Sequence, residues 1–119
     1  MLDKILGSEI AAKCLLSIYR YEEIYPSAIA SDFKITKSAV QKQLEKFEDA
    51  GVLVSKLVGK TRVYLFNGKS SVSNRVKDLV KLYYDGMSLS DKEELFPRRR
   101  PRKKGKPVLN LKSEIIDEL

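Results

Sequence analysis

The chain of 119 residues contains no histidine and no tryptophan, and Cys14 is its only cysteine. Without histidine, imidazole acid–base chemistry is excluded. One cysteine and no histidine cannot assemble a zinc finger, and one cysteine cannot close an intrachain disulfide. No apolar run is long enough to span a bilayer, so no membrane partner is expected. The opening MLDKILGSEIAAK lacks a basic stretch followed by an apolar one, so no secretory signal is expected and the protein should be cytoplasmic and nucleoid-associated. There is no glycine-rich phosphate loop and no nucleophile–base pair. An enzyme is therefore the least favoured class, and neither a cofactor nor a metal is expected.

What is present is basic charge, unevenly spread. The formal net charge is +7. Residues 34–69 hold 8 basic and 3 acidic groups, and residues 97–107 hold 7 basic and none acidic. The other segments are each slightly acidic: residues 1–33 and 108–119 are net −2, and residues 70–96 net −1. Clustering of this kind is the footprint of a polyanion binder. Composition alone does not choose between DNA, RNA and an anionic membrane. At 43% hydrophobic and 33% charged, the length suits one domain with an ordinary core.

The stretch TKSAVQKQLEKFEDAG, residues 36–51, organises the rest. Thr36 is a good helix N-cap, and Gly51 is the usual residue just past a helix end. Val40, Leu44 and Phe47 recur at i, i+4 and i+7, one apolar stripe of an amphipathic helix. At roughly 100° per residue, Ser38, Gln41, Lys42 and Glu45 fall on the other side, with Lys37 at the tip. Lys37, Ser38, Gln41 and Lys42 are groups that bond to base edges and phosphates. Glu48 and Asp49 lie at the far end, away from the phosphates of a duplex entered tip-first. A surface helix of no function has the same two faces; the neighbouring segments favour recognition.

Upstream, residues 1–21 read as helical, with a break at Gly7 and a cap at Ser8. Ile10, Cys14 (or Ala11), Leu15 and Ile18 keep helical spacing, which makes Cys14 a buried small hydrophobe rather than a redox group. Leu2, Ile5 and Leu6 form an apolar start that is either tucked onto the core or set in a dimer interface. Residues 22–26 read as a connection. Pro26 to Phe33 is a short helix, with Pro26 in its first turn and Tyr25 extended before it. Lys34 and Ile35 turn into Thr36, completing a helix-turn-helix.

Downstream, the period changes. Residues 52–58 and 61–66 are rich in β-branched and aromatic residues and are joined around Val58-Gly59-Lys60 as a hairpin. A hairpin directly after a recognition helix is a wing, here with Lys56, Lys60 and Arg62 at its tip. The alternative is an edge hairpin protected by its lysines. Ser71 or Ser73 caps a helix running to about Asp85, with Val72, Val76, Leu79, Val80, Tyr83 and Tyr84 as an apolar face. Residues 88–96 read as one more short helix capped by Ser90. The run PRRRPRKKGKP, residues 97–107, has no apolar side chain larger than proline and should be disordered in the free protein. Residues 108–119 form a short docking helix or a frayed end. The expected organisation is thus a winged helix-turn-helix domain over residues 1–96 and a basic tail with a short C-terminal segment over 97–119.

The strings ILGSEIAAKCLLSIY, SAIASDFKITKSAVQKQLEKFEDAGVLV and GKTRVYLFN resemble the winged helix-turn-helix transcriptional regulators of the ArsR/MarR type. The matching features are Gly7-Ser8 opening the first helix and Ile29-Ala30 in the second. Ser38, Val40, Leu44, Phe47 and Gly51-Val52-Leu53-Val54 fit the recognition helix, and Gly59-Lys60, Arg62 and Tyr64 the wing. The resemblance covers residues 5–67, about half the chain. It implies a mainly α fold with a small β-hairpin and a dimeric repressor that binds double-stranded DNA. It also implies pairing through the first and last helices, here Leu2, Ile5 and Leu6 with Val72, Val76, Leu79 and Tyr83. The family's metal-sensing members place cysteines in the helix before the turn, or His/Asp pairs in the terminal helix; this chain has neither, and no small-molecule effector pocket is legible. The basic tail is not part of the family pattern. Arg99-Arg100-Pro101-Arg102 is similar to an AT-hook arm but lacks its central glycine.

The expected DNA contacts are Ser27, Thr36, Lys37, Ser38, Gln41, Lys42 and Lys46 from the helix-turn-helix. Lys60, Thr61 and Arg62 come from the wing, and Arg98, Arg99, Arg100, Arg102, Lys103 and Lys104 from the tail. Two other readings keep the fold: a charge-driven RNA-binding or nucleoid-associated protein, and a winged helix that binds protein.

Overall fold

The computed structural model describes residues 2–96; the tail of residues 97–119, with the expectations placed on it, lies outside them. The first helical stretch divides where the sequence loses side chains. Helix α1 (Leu2–Leu6) ends at Gly7, whose φ of 75° is left-handed. Helix α2 (Glu9–Tyr21) restarts at Ser8, whose hydroxyl accepts from the Ala11 N–H at 3.1 Å. The connection that follows holds more structure than expected. Ile24 N–H donates to the Tyr64 carbonyl (3.3 Å) and Tyr64 N–H to the Ile24 carbonyl (3.1 Å), an isolated antiparallel bridge. One residue pair has no periodicity, so nothing in the sequence signals it.

Helix α3 (Pro26–Phe33) begins on its proline after extended Tyr25, as expected. Lys34 then enters the left-handed region (φ 57°), and Ile35 N–H donates to the Ala30 carbonyl at 3.0 Å. Helix α4 (Lys37–Asp49) starts at Thr36, which accepts from Ala39 N–H at 3.2 Å. It ends in a Schellman motif: Gly51 (φ 83°) donates to Glu48 and Val52 to Phe47, each at 3.0 Å.

Strand β1 (Leu53–Val58) and strand β2 (Thr61–Phe66) pair antiparallel, with Val58 opposite Thr61. Only Gly59 and Lys60 lie between them, and Gly59 at φ 68° makes the two-residue turn. Simple alternation fails in β2, because Val63 and Tyr64 are consecutive and both buried. The Ile24 bridge explains half of this: it makes β2 the middle of three extended segments. Lys56 lies opposite Val63 in the register, and its Nζ reaches Glu23 Oε1 at 3.0 Å, so side chains also occupy the Val63 face.

Helix α5 (Ser71–Asp85) and helix α6 (Leu89–Leu95) start one cap earlier than the sequence suggested. Ser70 caps α5 by accepting from Ser73 N–H, and Ser88 caps α6 by accepting from Asp91 N–H, each at 3.1 Å. The serines expected in those roles lie inside the helices, where their backbone is no longer extended. Ser73 has another task. It is fully buried, donates to the Val52 carbonyl at 2.6 Å and accepts from Asn67 N–H at 3.1 Å.

The core joins Leu15 and Ile18 of α2, Ile29 of α3, Val40 and Leu44 of α4, Leu53, Tyr64 and Val80. Cys14 belongs to it, wholly buried, and burial pushes its thiol up to about 12. Leu2 is buried in the same cluster. Its side chain is therefore spent inside the chain rather than offered to a partner. Phe96 is also buried, against the rings of Tyr21, Phe33 and Tyr84. No helix among the described residues is long and apolar enough to cross a membrane.

Replacing Ser73 by alanine removes a buried donor from the Val52 carbonyl and should cost about 1–3 kcal/mol in urea unfolding. The thiol of Cys14 titrates from 9.0 when unfolded to about 12 when folded. A raised folded value means the unfolded state alone loses its proton in between. Stability should thus be level below about pH 9 and fall above it, at no more than about 1.4 kcal/mol per pH unit. Unfolding followed over pH 8–11 should show this extra fall in the native chain and not in Cys14→Ala.

Candidate nucleic-acid interface

Helix α4 is held by one face. Val40 and Leu44 are fully buried, and Phe47 packs at the edge of the core. The opposite face is left in solvent: Lys37, Ser38, Lys42 and Lys46 are exposed, and Gln41 is half-buried at the boundary. The cap adds Thr36, also exposed, whose hydroxyl lies 3.5 Å from that of Ser38. Ser27, at the start of α3, is exposed as well. Of the helix-turn-helix residues expected from the sequence, all but half-buried Gln41 are therefore exposed. The first turn of α4 has no acidic residue. Its unpaired N–H groups and partial positive charge are open to an anion.

The wing divides by the register of its strands. Arg62 stands opposite Leu57 and Tyr64 opposite Ser55, so all four share the face that continues to buried Leu53. Arg62 Nη1 donates to Ser55 Oγ at 2.9 Å, and Ser55 Oγ donates to Glu48 Oε2 at 2.7 Å. This relay ties the last turn of α4 to the wing and fixes where the guanidinium starts from. It also puts Glu48 near Tyr64, whose hydroxyl is pushed up first by burial and then by the charges of Glu48 and Glu45. Lys60 and Thr61 are exposed at the turn. Lys56 departs from expectation. Adjacent residues of a strand face opposite ways, so Lys56 lies on the other face, paired with Glu23.

Two features escaped sequence reasoning. Lys34, which the sequence marks only as part of the turn between α3 and α4, is exposed there with a left-handed backbone, a place where glycine is more usual. Leu57 and Val58 are exposed at the wing tip, 62% and 42%, where the pattern suggested a polar end. The tail residues Arg98, Arg99, Arg100, Arg102, Lys103 and Lys104 lie outside the described residues. Among the described residues, no group of three or more His, Cys, Asp or Glu is placed to hold a metal ion.

The interface residues of the sequence analysis separate in the same way. Ile5 and Val72 are 56% and 63% exposed, whereas Leu6, Val76, Leu79 and Tyr83 are partly buried against the core. Leu82 and Leu89, 68% and 72% exposed, add apolar surface not anticipated.

Residues 26–67 match the TBPIP/Hop2 winged helix domain. The match covers α3, α4 and both strands, about a third of the chain. No protein of curated function matches the sequence. Among solved structures, AF1382 from Archaeoglobus fulgidus superposes with a TM-score of 0.57 at 25% identity, over 71% of this chain and 94% of that one. A MarR-family transcriptional regulator from Rhodococcus sp. RHA1 superposes with a TM-score of 0.55 at 14% identity, over 76% of each. The second likeness is one of fold. The helix-turn-helix, the two-stranded wing and these likenesses agree: this chain has the winged helix-turn-helix fold.

Proposed function

We propose that the protein is a sequence-specific, double-stranded-DNA-binding transcriptional regulator that acts as a homodimeric repressor. The observation that carries this is the exposed rim of α4. Thr36, Lys37, Ser38, Gln41 and Lys42 are presented together by a helix whose buried side is fixed at Val40 and Leu44. Amide and hydroxyl groups on such a rim suit base edges, and the lysines suit phosphates. Lys46 lies one turn further along. Lys60, Thr61 and Arg62 flank the groove as a wing, and Ser27 meets a phosphate from α3. The tail cations from Arg98 to Lys104 add sequence-independent grip. Ile5 and Val72, joined by Leu82, supply the apolar surface for pairing two copies, as the family resemblance implies. No cofactor enters this reading, and an effector is not assigned.

Binding measured at several salt concentrations, on a selected and a random duplex, tests it. Gln41→Ala should reduce the preference for the selected duplex by about 1–3 kcal/mol, the worth of one bidentate base contact. A chain ending at Phe96 should keep the preference and lose about 0.9 of salt slope for each phosphate contact removed. If no duplex is preferred and only the tail matters, the charge-driven RNA-binding or nucleoid reading replaces this one. If nothing binds at physiological salt, the winged helix that binds protein replaces it.

Lys34→Gly should separate stability from binding. Relief of left-handed strain, about 1–2 kcal/mol, outweighs an added chain entropy of about 0.4–1. Thermal unfolding should therefore shift up, by a net gain of between zero and about 1.6 kcal/mol. DNA affinity should fall, with the salt slope smaller by about 0.9.

A further inference from the structure

We propose that Leu57 is a wedge: its side chain enters the minor groove of a DNA duplex at one base step and kinks the duplex there. This rests on the reading of α4 and the wing as the DNA-facing elements. The strand face that carries Leu57 is the one turned toward α4. Leu53, at its root, is buried in the core with Val40 and Leu44. Ser55, next on that face, donates to Glu48 of α4 at 2.7 Å. Leu57 is the third, and it is 62% exposed. Arg62 stands opposite it in the register, but the guanidinium leans back, away from the turn, to donate to Ser55 at 2.9 Å. Leu57 is thus left as the last apolar side chain of this face before the turn, with most of its surface in solvent. Exposure on that scale gains the domain nothing in folding.

The surroundings favour a groove of nucleic acid over an apolar partner. From Leu53 to Phe66 the hairpin has no acidic residue, and Lys60 and Arg62 flank Leu57. An apolar tip set among cations suits a polyanion that has an apolar interior, which is a base stack. The minor groove is about 6 Å wide and about 7.5 Å deep. Two strands about 4.8 Å apart are too broad for it with their side chains, so it admits the side chains of a tip and not the ribbon. Leucine is one of the side chains that part a base step from this groove, and arginine suits the negative potential of its narrow form. The length fits as well. From Ser55 to the turn at Gly59 the wing runs about 13 Å, of the order of the half helical turn, about 17 Å, between a major groove and the next minor groove. Because Ser55 is tied to α4, a helix seated in the major groove carries the tip toward that neighbour. The step under Leu57 is then read by how easily it kinks, which favours TA or CA.

The test is made with the full chain on a selected duplex in which 2-aminopurine, which brightens when unstacked, replaces each adenine in turn. Brightening confined to one step of each half-site, apart from the positions whose readout Gln41→Ala removes, is expected in the native chain. Leu57→Met, which keeps an apolar wedge, should retain it. Leu57→Ser should abolish it and straighten the duplex, read by energy transfer between dyes at the two ends. Exchanging the brightened step for the stiff AA of an A-tract should weaken native binding at least about fivefold and leave the binding of Leu57→Ser unchanged. Thermal unfolding should be nearly the same in all three chains, because so exposed a residue adds little to stability. No brightening in the native chain, or the same brightening and bend in Leu57→Ser, overturns the proposal while α4 keeps its reading. So does a Leu57→Ser chain that bends DNA as before and no longer self-associates, which would make the wing tip a contact between copies. A chain that prefers no duplex overturns both.

Discussion

The carbonyl of Val52 is the point on which the geometry of the domain depends. It accepts from Ser73 Oγ at 2.6 Å and from Asn67 N–H at 3.0 Å, while Asn67 Nδ2 donates to the Gly51 carbonyl at 3.0 Å. Three elements meet there: the end of α4, the exit of β2 and the first turn of α5. In a buried place each of these polar groups would be costly unpaired, so the knot has one satisfied arrangement. It sets the angle at which the wing leaves α4. The relay from Glu48 through Ser55 to Arg62 repeats the connection nearer the solvent.

On the proposed reading, groups that meet a duplex need positions fixed by something other than themselves, because exposed lysines have little structure of their own. Here the fixing is apolar and lies behind them. Val40 and Leu44 hold α4, Leu53 and Tyr64 hold the hairpin, and the polar rim is what remains outside. Two acids near it are engaged elsewhere: Glu48 accepts from Ser55, and Glu23 pairs with Lys56. Both exposed ion pairs of α5, Arg75–Asp78 and Lys81–Asp85, lie within that helix and neutralise its charge locally. Exposed pairs of this kind contribute little to stability.

Much of this was legible. Ser8, Thr36, Gly51 and Gly59 are residues whose local chemistry has one main use, and each is found in that use. The stripe of Val40, Leu44 and Phe47 needs only a helical period to announce a buried side. Capping by serine was less secure, because Ser70, Ser71 and Ser73, like Ser88 and Ser90, are chemically equal candidates. Which of them caps is settled by where the backbone turns extended.

Local sequence determined the order of helices and strands, the turn residues, the apolar stripe of α4 and the clustering of basic charge. Each of these is a property of residues a few positions apart. Tertiary structure alone decided the bridge between Ile24 and Tyr64, the burial of Ser73 and Phe96, and the withdrawal of Leu2 into the core. It also turned Lys56 away from the wing face that carries Arg62. These depend on partners that lie far apart in the chain. No period or composition records such a pairing before the chain has closed on itself.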